Sequence, residues 1–181
     1  KCHHHPSEKW TQEDHYQLAA FFGKMRSRGQ GISAPISGEV EMWWYDAMAK
    51  GVAHPLTDVV MTPKAPDGPE IPYVEGVDPR GQLVDWMVAP ENPFFAKAIV
   101  NRIWGELMGR GIVDPVDDFR ASNPPSNPEL LEWLAGDFRA HGYDLKHLIR
   151  SVLLSAAYQR SAEPNDSNLA DQRNFARAQR R

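Results

Sequence analysis

Residues 90–128 read PENPFFAKAIVNRIWGELMGRGIVDPVDDFRASNPPSNP and contain a strong helical pattern. Residues 94–108 place apolar side chains at helical spacing, so we predict an amphipathic central helix there. Asn92 can cap its start, Pro93 suits its first position, and Gly109 can adopt the left-handed conformation that ends it. The apolar stripe consists of Phe95, Ala96, Ile99, Val100, Ile103, Trp104 and Leu107. Because this stripe covers about half of the helix surface, the other helices should pack around it.

Three carboxylates, Asp114, Asp117 and Asp118, follow the central helix in a short bend. They could bind a divalent cation or act as general acid and base, as in a metal-dependent hydrolase. They could equally cap loop amides and pair with arginine. Arg102 lies at the edge of the apolar stripe, and its planar guanidinium can bind a carboxylate through two hydrogen bonds. No cysteine or histidine spacing accompanies these acids, so we favour a structural ion pair of Arg102 with Asp117 or Asp118.

The composition excludes several classes of function. The chain has 181 residues and a formal net charge of −4, which is not the balance of a nucleic-acid-binding protein. No run of about 18 apolar residues is present, so no membrane span is expected in this sequence. A single cysteine, Cys2, rules out an intrachain disulfide. Six tryptophans supply enough large apolar surface to favour a packed core.

The remaining patterns predict a mainly α protein, a multi-helix bundle-like domain with a small β-hairpin or ribbon in its middle. Further helices are predicted over residues 11–26, 79–88, 128–141, 145–156 and 168–181. Short strands are predicted over residues 38–45 and 57–62. His141 and His147 could bind a metal, but single surface histidines at helix ends more commonly have no ligand role.

The first residues contain half of a haem-attachment motif. Cys2-His3 matches the second half of Cys-x-x-Cys-His, in which the cysteines bind haem covalently and the histidine ligates the iron. The first cysteine of such a motif would precede Lys1. A metal-affinity tag or a histidine-rich, metal-binding start are the alternatives for the run from His3 to His5. This half motif, and a last predicted helix without a stop signal, suggest a piece of a longer protein.

Long, ordered motifs in the second half resemble the planctomycete-specific domain of unknown function 1553. They are PENPFFA (90–96), NRIW (101–104), GRG (109–111), DPVDDFR (114–120), NPPSNPELL (123–131), HGYDLKHLIR (141–150) and YQRS (158–161). Residues 2–22 resemble the tail of domain of unknown function 1549, which usually carries a complete Cys-x-x-Cys-His. We therefore expect three parts: residues 1–27, the tail of the haem-motif domain; residues 28–78, a linker with the β element; and residues 79–181, an incomplete helical planctomycete-specific domain.

The resemblance implies a fragment of an extracytoplasmic protein of the planctomycete cytochrome-c-like family, located in the periplasm or cell envelope. It implies covalent haem c, with Cys2 as the second thioether cysteine and His3 as the proximal iron ligand. Candidates for the second axial ligand are Met25, Met42, Met48 and His54.

The resemblance assigns no activity, so whether the protein is an enzyme stays open, and its expected partners are neighbouring domains of the same parent. One hypothesis is a redox or electron-transfer role. The alternatives are a non-catalytic helical support or interaction module, and a metal-dependent hydrolase that uses Asp114, Asp117 and Asp118.

Overall fold

The computed structural model of the chain describes residues 4–6, 8–28, 42–171 and 173–178. In chain order the elements are α1 (Gln12–Ala20), β1 (Met25–Arg28), β2 (Met42–Tyr45), α2 (Arg80–Val88), α3 (Phe95–Met108), α4 (Pro128–Ala140) and α5 (Leu145–Leu153). Residues 1–86 and 87–181 form two compact units. The predicted fold class, mainly α with a small antiparallel ribbon, is confirmed. None of the helices in the described part of the chain combines the length and the apolar character that crossing a membrane requires.

The second unit is packed around α3, the predicted central helix. α3 contacts both α4 and α5, and these two helices also contact each other. The core consists of Ala96, Val100, Trp104, Met108, Ile112, Val113, Leu131, Leu134, Ala135, Phe138, Leu148, Val152 and Phe175. Burying one large apolar side chain contributes about 1.5–3 kcal/mol, so the contacts of α3 are a major source of stability in this unit.

The predicted apolar stripe of α3 is confirmed, although its deepest part lies to one side of the stripe. Ala96, Val100 and Trp104 are buried, whereas Ile99 and Ile103 are partly buried and pack against the edge of the core. The buried residues recur every four positions, which places them on one face of the helix. These residues share one core with residues of α4 and α5.

Asn92 binds the start of α3 as predicted, but it lies two residues before the N-cap, because the helix begins later than expected. Asn92 Oδ1 accepts the backbone N–H groups of Phe94 and Phe95, at 2.9 and 2.8 Å. Phe94 holds the N-cap position, so Pro93 precedes the helix and does not form its first turn. At the other end Gly109 adopts the predicted left-handed conformation, with φ of 81°.

α4 and α5 both begin at side-chain caps. The Asn127 side chain accepts the Leu130 N–H at 3.0 Å, which starts α4. Asp144 Oδ1 accepts the N–H groups of Lys146 and His147, at 2.8 and 3.2 Å, which starts α5. The hydrogen bond from His147, followed by that from Lys146, holds the pKa of the Asp144 carboxyl below its usual value.

In the first unit, α1 begins at a capping box but ends earlier than predicted. Thr11 and Asp14 exchange hydrogen bonds between side chain and backbone, at 3.1 and 2.8 Å. The helix stops at Ala20, and residues 25–28 form β1 instead of a further helical turn. The chain passes Val52 so closely at Gly23 that an added Cβ would lie 2.7 Å from Val52 Cγ2. This packed turn and the pairing with β2 override the local helical pattern.

The predicted ribbon exists, but its strands are not the expected pair. β2 forms the end of the strand predicted over residues 38–45, and residues 38–41 lie outside the described part of the chain. Its antiparallel partner is β1. Residues 57–62 form no strand; Val60 makes only a single bridge with Ala53.

The helix predicted over residues 168–181 is wrong for the described residues of that segment, which form turns and bends. The carboxylate of Asp171 accepts three backbone N–H groups at 2.8 to 3.1 Å, those of Arg173, Asn174 and Ala176. An aspartate that binds nearby amides in this way competes with the hydrogen bonds of a helix. The helix prediction did not consider this competition.

Asp171→Asn is expected to change how the stability of the protein depends on pH. The N–H groups of Ala176, Asn174 and Arg173 lower the pKa of Asp171 from 3.8 to about 2. A pKa lowered by folding stabilises the native state above the unfolded value, and this contribution is lost as the pH falls from 3.8 toward 2. The free energy of unfolding should therefore fall more steeply in that range for the unmodified chain than for Asp171→Asn. Identical pH profiles for the two proteins would contradict this assignment.

Candidate functional site

The predicted haem-attachment residues, Cys2 and His3, lie outside the described residues, so haem binding remains a prediction. The residue that follows them is described. His4 Nδ1 accepts the Gln12 N–H at 3.3 Å. The chain directly after the motif therefore meets the first turn of α1.

A groove of about 490 Å³ lies beside α1 in the first unit. Its lining includes Glu13 and Gln17 from α1 together with His54, Met61 and Glu70. Gln17 is buried, and its side-chain amide donates to Glu70 Oε1 at 3.4 Å. The volume lies within the range of about 300–1,000 Å³ that is usual for small-molecule and cofactor sites.

His54 contributes an imidazole to this groove. Its ring packs edge-on against Tyr16, with 5.6 Å between the ring centroids. His54 Nδ1 accepts the Leu56 N–H at 3.3 Å, which leaves Nε2 as the second nitrogen that a ligand could approach.

The structure brings Arg102 to Asp117, one of the two partners predicted for it. Arg102 Nε donates to Asp117 Oδ1 at 2.8 Å, and Nη2 donates to Oδ2 at 2.7 Å. Both side chains are largely exposed, at 63% and 59%. The pair is bidentate but exposed to solvent, where an ion pair contributes only about 0–1 kcal/mol to the free energy of unfolding.

The other two acids of the bend pair with different arginines. Arg120 Nη2 donates to Asp118 Oδ2 at 2.6 Å and, by its hydrogen bonds, lowers the pKa of the Asp118 carboxyl. Asp114 lies 3.1 Å from a guanidinium nitrogen of Arg110. The three carboxylates therefore do not converge on a common point, which favours the ion-pair interpretation of the bend over a metal centre.

Asn101 links α3 to this bend, and sequence reasoning missed it. Its side chain is completely buried. Asn101 Nδ2 donates to the carbonyl oxygens of Val113 and Val116, both at 2.8 Å, and Oδ1 accepts the Val113 N–H at 2.9 Å. At Gly111 an added Cβ would lie 2.1 Å from the Val113 oxygen, so only glycine fits beside this network. One sequence signal could have identified Asn101: it is an amide side chain next to the buried face of a predicted helix. Buried polar groups need hydrogen-bond partners, so such a residue predicts a contact with another part of the chain.

A second polar cluster joins the end of α4 to the start of α5. Asp137, His141 and His147 each offer one potential ligand atom, and these atoms all lie within 4.8 Å of one another. His147 Nε2 lies 2.8 Å from Asp137 Oδ2, and His141 Nδ1 lies 3.3 Å from Asp137 Oδ1. Among the described residues, no other set of three histidine, cysteine or acidic side chains lies this close together. Sequence reasoning considered the two histidines separately and missed Asp137, although Asp137 and His141 are four residues apart at the end of one helix.

The backbone between the two helices holds this cluster in place. Gly142 and Tyr143 both have left-handed φ values of 62°. Tyr143 N–H donates to the Phe138 oxygen at 2.9 Å, and its ring packs edge-to-face on Phe138 at 5.3 Å. The resulting corner stacks the rings of His141 and His147, with 3.6 Å between centroids and 16° between planes.

The chemistry of this cluster is not that of a serine hydrolase. Ser151 Oγ lies 3.5 Å from His147 Nε2, the same nitrogen that meets Asp137. A nucleophile–base–acid relay needs the hydroxyl and the carboxylate on opposite nitrogens of the imidazole. Two imidazoles and one carboxylate are instead a donor set that suits a divalent transition metal.

Comparison with known proteins gives a family for the second half of the chain. No curated protein and no solved structure is significantly similar to this chain. The family described as "PSD1: Protein of unknown function (DUF1553)" matches residues 79–181, which is more than half of the chain. These residues include α2 to α5, the bend and the Asp137–His141–His147 cluster. The chain therefore belongs to the PSD1 family of proteins of unknown function.

Proposed function

We propose that residues 87–181 act as a non-catalytic helical support module within a larger extracytoplasmic, c-type-cytochrome-like protein. The observation that carries the support role is that each acid of the bend has its own arginine partner. A general acid or base is most effective with a pKa near the working pH. Arg120 instead lowers the pKa of the Asp118 carboxyl, which keeps this group ionised and suited to an ion pair.

The redox part of the proposal rests on the first unit. Haem c attached through Cys2, with His3 as proximal ligand, would supply one-electron transfer. Three observations support it: the Cys2-His3 sequence, the contact of His4 with α1, and the groove beside α1. His54 lines that groove and could help to hold the haem iron there, whereas Met48 is 90% exposed and Met42 55%.

The test uses the full-length parent protein, produced in a host that attaches haem to c-type cytochromes. We expect a covalent haem spectrum that His3→Ala changes and that Cys2→Ser weakens or removes. Absence of a Soret band from the purified parent would overturn the redox part.

The support part is tested separately, by an Asp117→Asn/Asp118→Asn double variant of the same parent. It should retain the spectrum and any measured redox turnover, and selective loss of turnover would contradict a non-catalytic role.

Asp117→Asn is expected to lower the free energy of unfolding by no more than about 1 kcal/mol, because the pair with Arg102 is exposed to solvent. Equilibrium unfolding in guanidinium would measure the difference. Arg102→Leu, which removes the other partner, should give a loss of similar size. A loss several times larger in either variant would show that the pair is a main support of the fold, contrary to our description.

A further inference from the structure

We propose that Asp137, His141 and His147 form a binding site for a divalent transition-metal ion of the zinc class. This proposal is independent of the redox and support roles above. Each of the three residues offers a ligand atom of the right kind, either an imidazole nitrogen or a carboxylate oxygen. The set contains one negative charge and two neutral donors when the histidines are unprotonated, which complements a doubly charged cation.

The potential ligand atoms of Asp137, His141 and His147 lie nearly as close together as the ligands of a tetrahedral ion. Zinc–nitrogen and zinc–oxygen bonds of about 2.0–2.2 Å place neighbouring ligand atoms about 3.3 Å apart. His147 Nε2 lies 2.8 Å from Asp137 Oδ2 and His141 Nδ1 lies 3.3 Å from Asp137 Oδ1, so the two imidazoles meet the two oxygens of one carboxylate, and one ligand atom from each residue lies within 4.8 Å of the others. The two stacked rings would have to turn apart to point at one ion, and His141, at 48% exposure, has room to do so.

The backbone explains why these side chains are near one another before any ion binds. Asp137 and His141 are one helical turn apart at the end of α4, and His147 lies in the first turn of α5. The corner between them is fixed by the Tyr143 N–H bond to Phe138 and by the hydrogen bond from Tyr143 Oη to the Val88 oxygen at 3.0 Å. A ligand set that is already assembled loses less conformational entropy on binding.

The donor chemistry selects the class of ion. Calcium and magnesium prefer six or more oxygen ligands, and this cluster offers only one carboxylate. Imidazole suits zinc, copper, nickel and cobalt. Three protein ligands leave a fourth position of a tetrahedral ion for water, on the side where His141 is exposed.

The test must first remove a competing metal site, because Cys2 and the histidines His3 to His5 could themselves bind the ion. The reference protein is therefore the full 181-residue chain with Cys2→Ser, His3→Gln, His4→Gln and His5→Gln. Titration calorimetry with Zn²⁺ should give one equivalent bound, and the same titration with Mg²⁺ should give none. Absence of stoichiometric Zn²⁺ binding to the reference protein would overturn the proposal.

Variants of the reference protein then locate the ion. His141→Gln and Asp137→Asn should each weaken Zn²⁺ binding by at least about tenfold, a loss seen even for residues that only support a metal ligand. His15→Gln, a substitution of an exposed histidine in the other unit, should leave the affinity unchanged. Unchanged affinity in both cluster variants would overturn the proposal.

Two further measurements distinguish loss of metal binding from loss of folding. Circular dichroism of each variant without metal shows whether it is folded, and His141→Gln is the safer substitution because the side chain is half exposed. At the same Zn²⁺ concentration, the ion should raise the melting temperature of the reference protein more than that of His141→Gln, because an ion that binds only the native state stabilises it in proportion to its affinity. An equal rise in both proteins would contradict binding at this cluster.

Discussion

Asn101→Leu is expected to destabilise the protein by about 3–5 kcal/mol, although leucine is similar in size and more apolar. The substitution removes three hydrogen bonds and leaves the Val113 N–H and the oxygens of Val113 and Val116 without partners. Each unpaired buried group costs about 1–3 kcal/mol, and the added apolar burial offsets part of this cost. Guanidinium unfolding followed by far-ultraviolet circular dichroism would measure the loss.

Two controls separate this hydrogen-bond network from general effects of substitution in the bend. Asn123→Ala removes bonds to the oxygens of Asp114 and Asp118 at a partly exposed site, and should cost about 1 kcal/mol. Asn101→Asp keeps an acceptor for the Val113 N–H but places a carboxylate against two carbonyl oxygens, and should cost as much as the leucine variant. A leucine variant as stable as the unmodified chain would show that Asn101 does not hold the bend to α3.

Trp104→Ala should cost about 3–5 kcal/mol, the usual loss when a large aromatic side chain is removed from a core. Trp104 is only 3% exposed, and its ring packs edge-to-face on Phe175 with 5.1 Å between centroids. The substitution therefore opens a cavity beneath the C-terminal segment as well as within the helical core. Thermal and guanidinium unfolding would measure the change.

Trp133→Ala is the matched control, because Trp133 is 62% exposed and should change the stability by no more than about 0.5 kcal/mol. Trp104→Phe should cost far less than Trp104→Ala. Trp104 Nε1 is buried and has no hydrogen-bond partner among the described residues, so phenylalanine removes an unpaired donor while keeping much of the ring. Equal losses for Trp104→Ala and Trp133→Ala would contradict the position of Trp104 in the core.

Sequence patterns predicted the parts of the fold that depend on neighbours within about one helical turn. The stripe containing Val100 and Trp104, the hydrogen bonds that Asn92 accepts at the start of α3, and the left-handed Gly109 all belong to this group. In each case the residues that interact are adjacent on one helix or within its first or last turn. Such interactions can be recognised before the rest of the structure is known.

The contacts that sequence reasoning missed join residues farther apart along the chain. Asn101 binds backbone groups 12 and 15 residues away, and Asp137 meets His147 across 10 residues. No periodic pattern encodes these pairings, because they exist only after the chain has turned back at Gly111 or Gly142. Each residue alone has an ordinary alternative interpretation, as a surface amide, a helix-end acid or a solvated histidine.

The two wrong helix predictions, at the end of α1 and in the C-terminal segment, have a similar origin. The end of α1 and the C-terminal segment both show local helical patterns, and both are overridden by other interactions. β1 forms because β2 is available as a partner, and the turn at Asp171 forms because one carboxylate binds three amides. Helical propensity differs by less than about 1 kcal/mol per residue among ordinary side chains, so one such interaction is enough to change the outcome.

Because α3 lies at the centre of the core of residues 87–181, amide hydrogen exchange should find it among the most protected parts of that unit. The amides from Val100 to Trp104 should exchange only through unfolding of the whole unit, and should be among its slowest. Those of α2, in which only Leu83 is buried, should exchange faster through local opening. Exchange from Val100 to Trp104 as fast as that of α2 would show that α3 is not at the centre of this core.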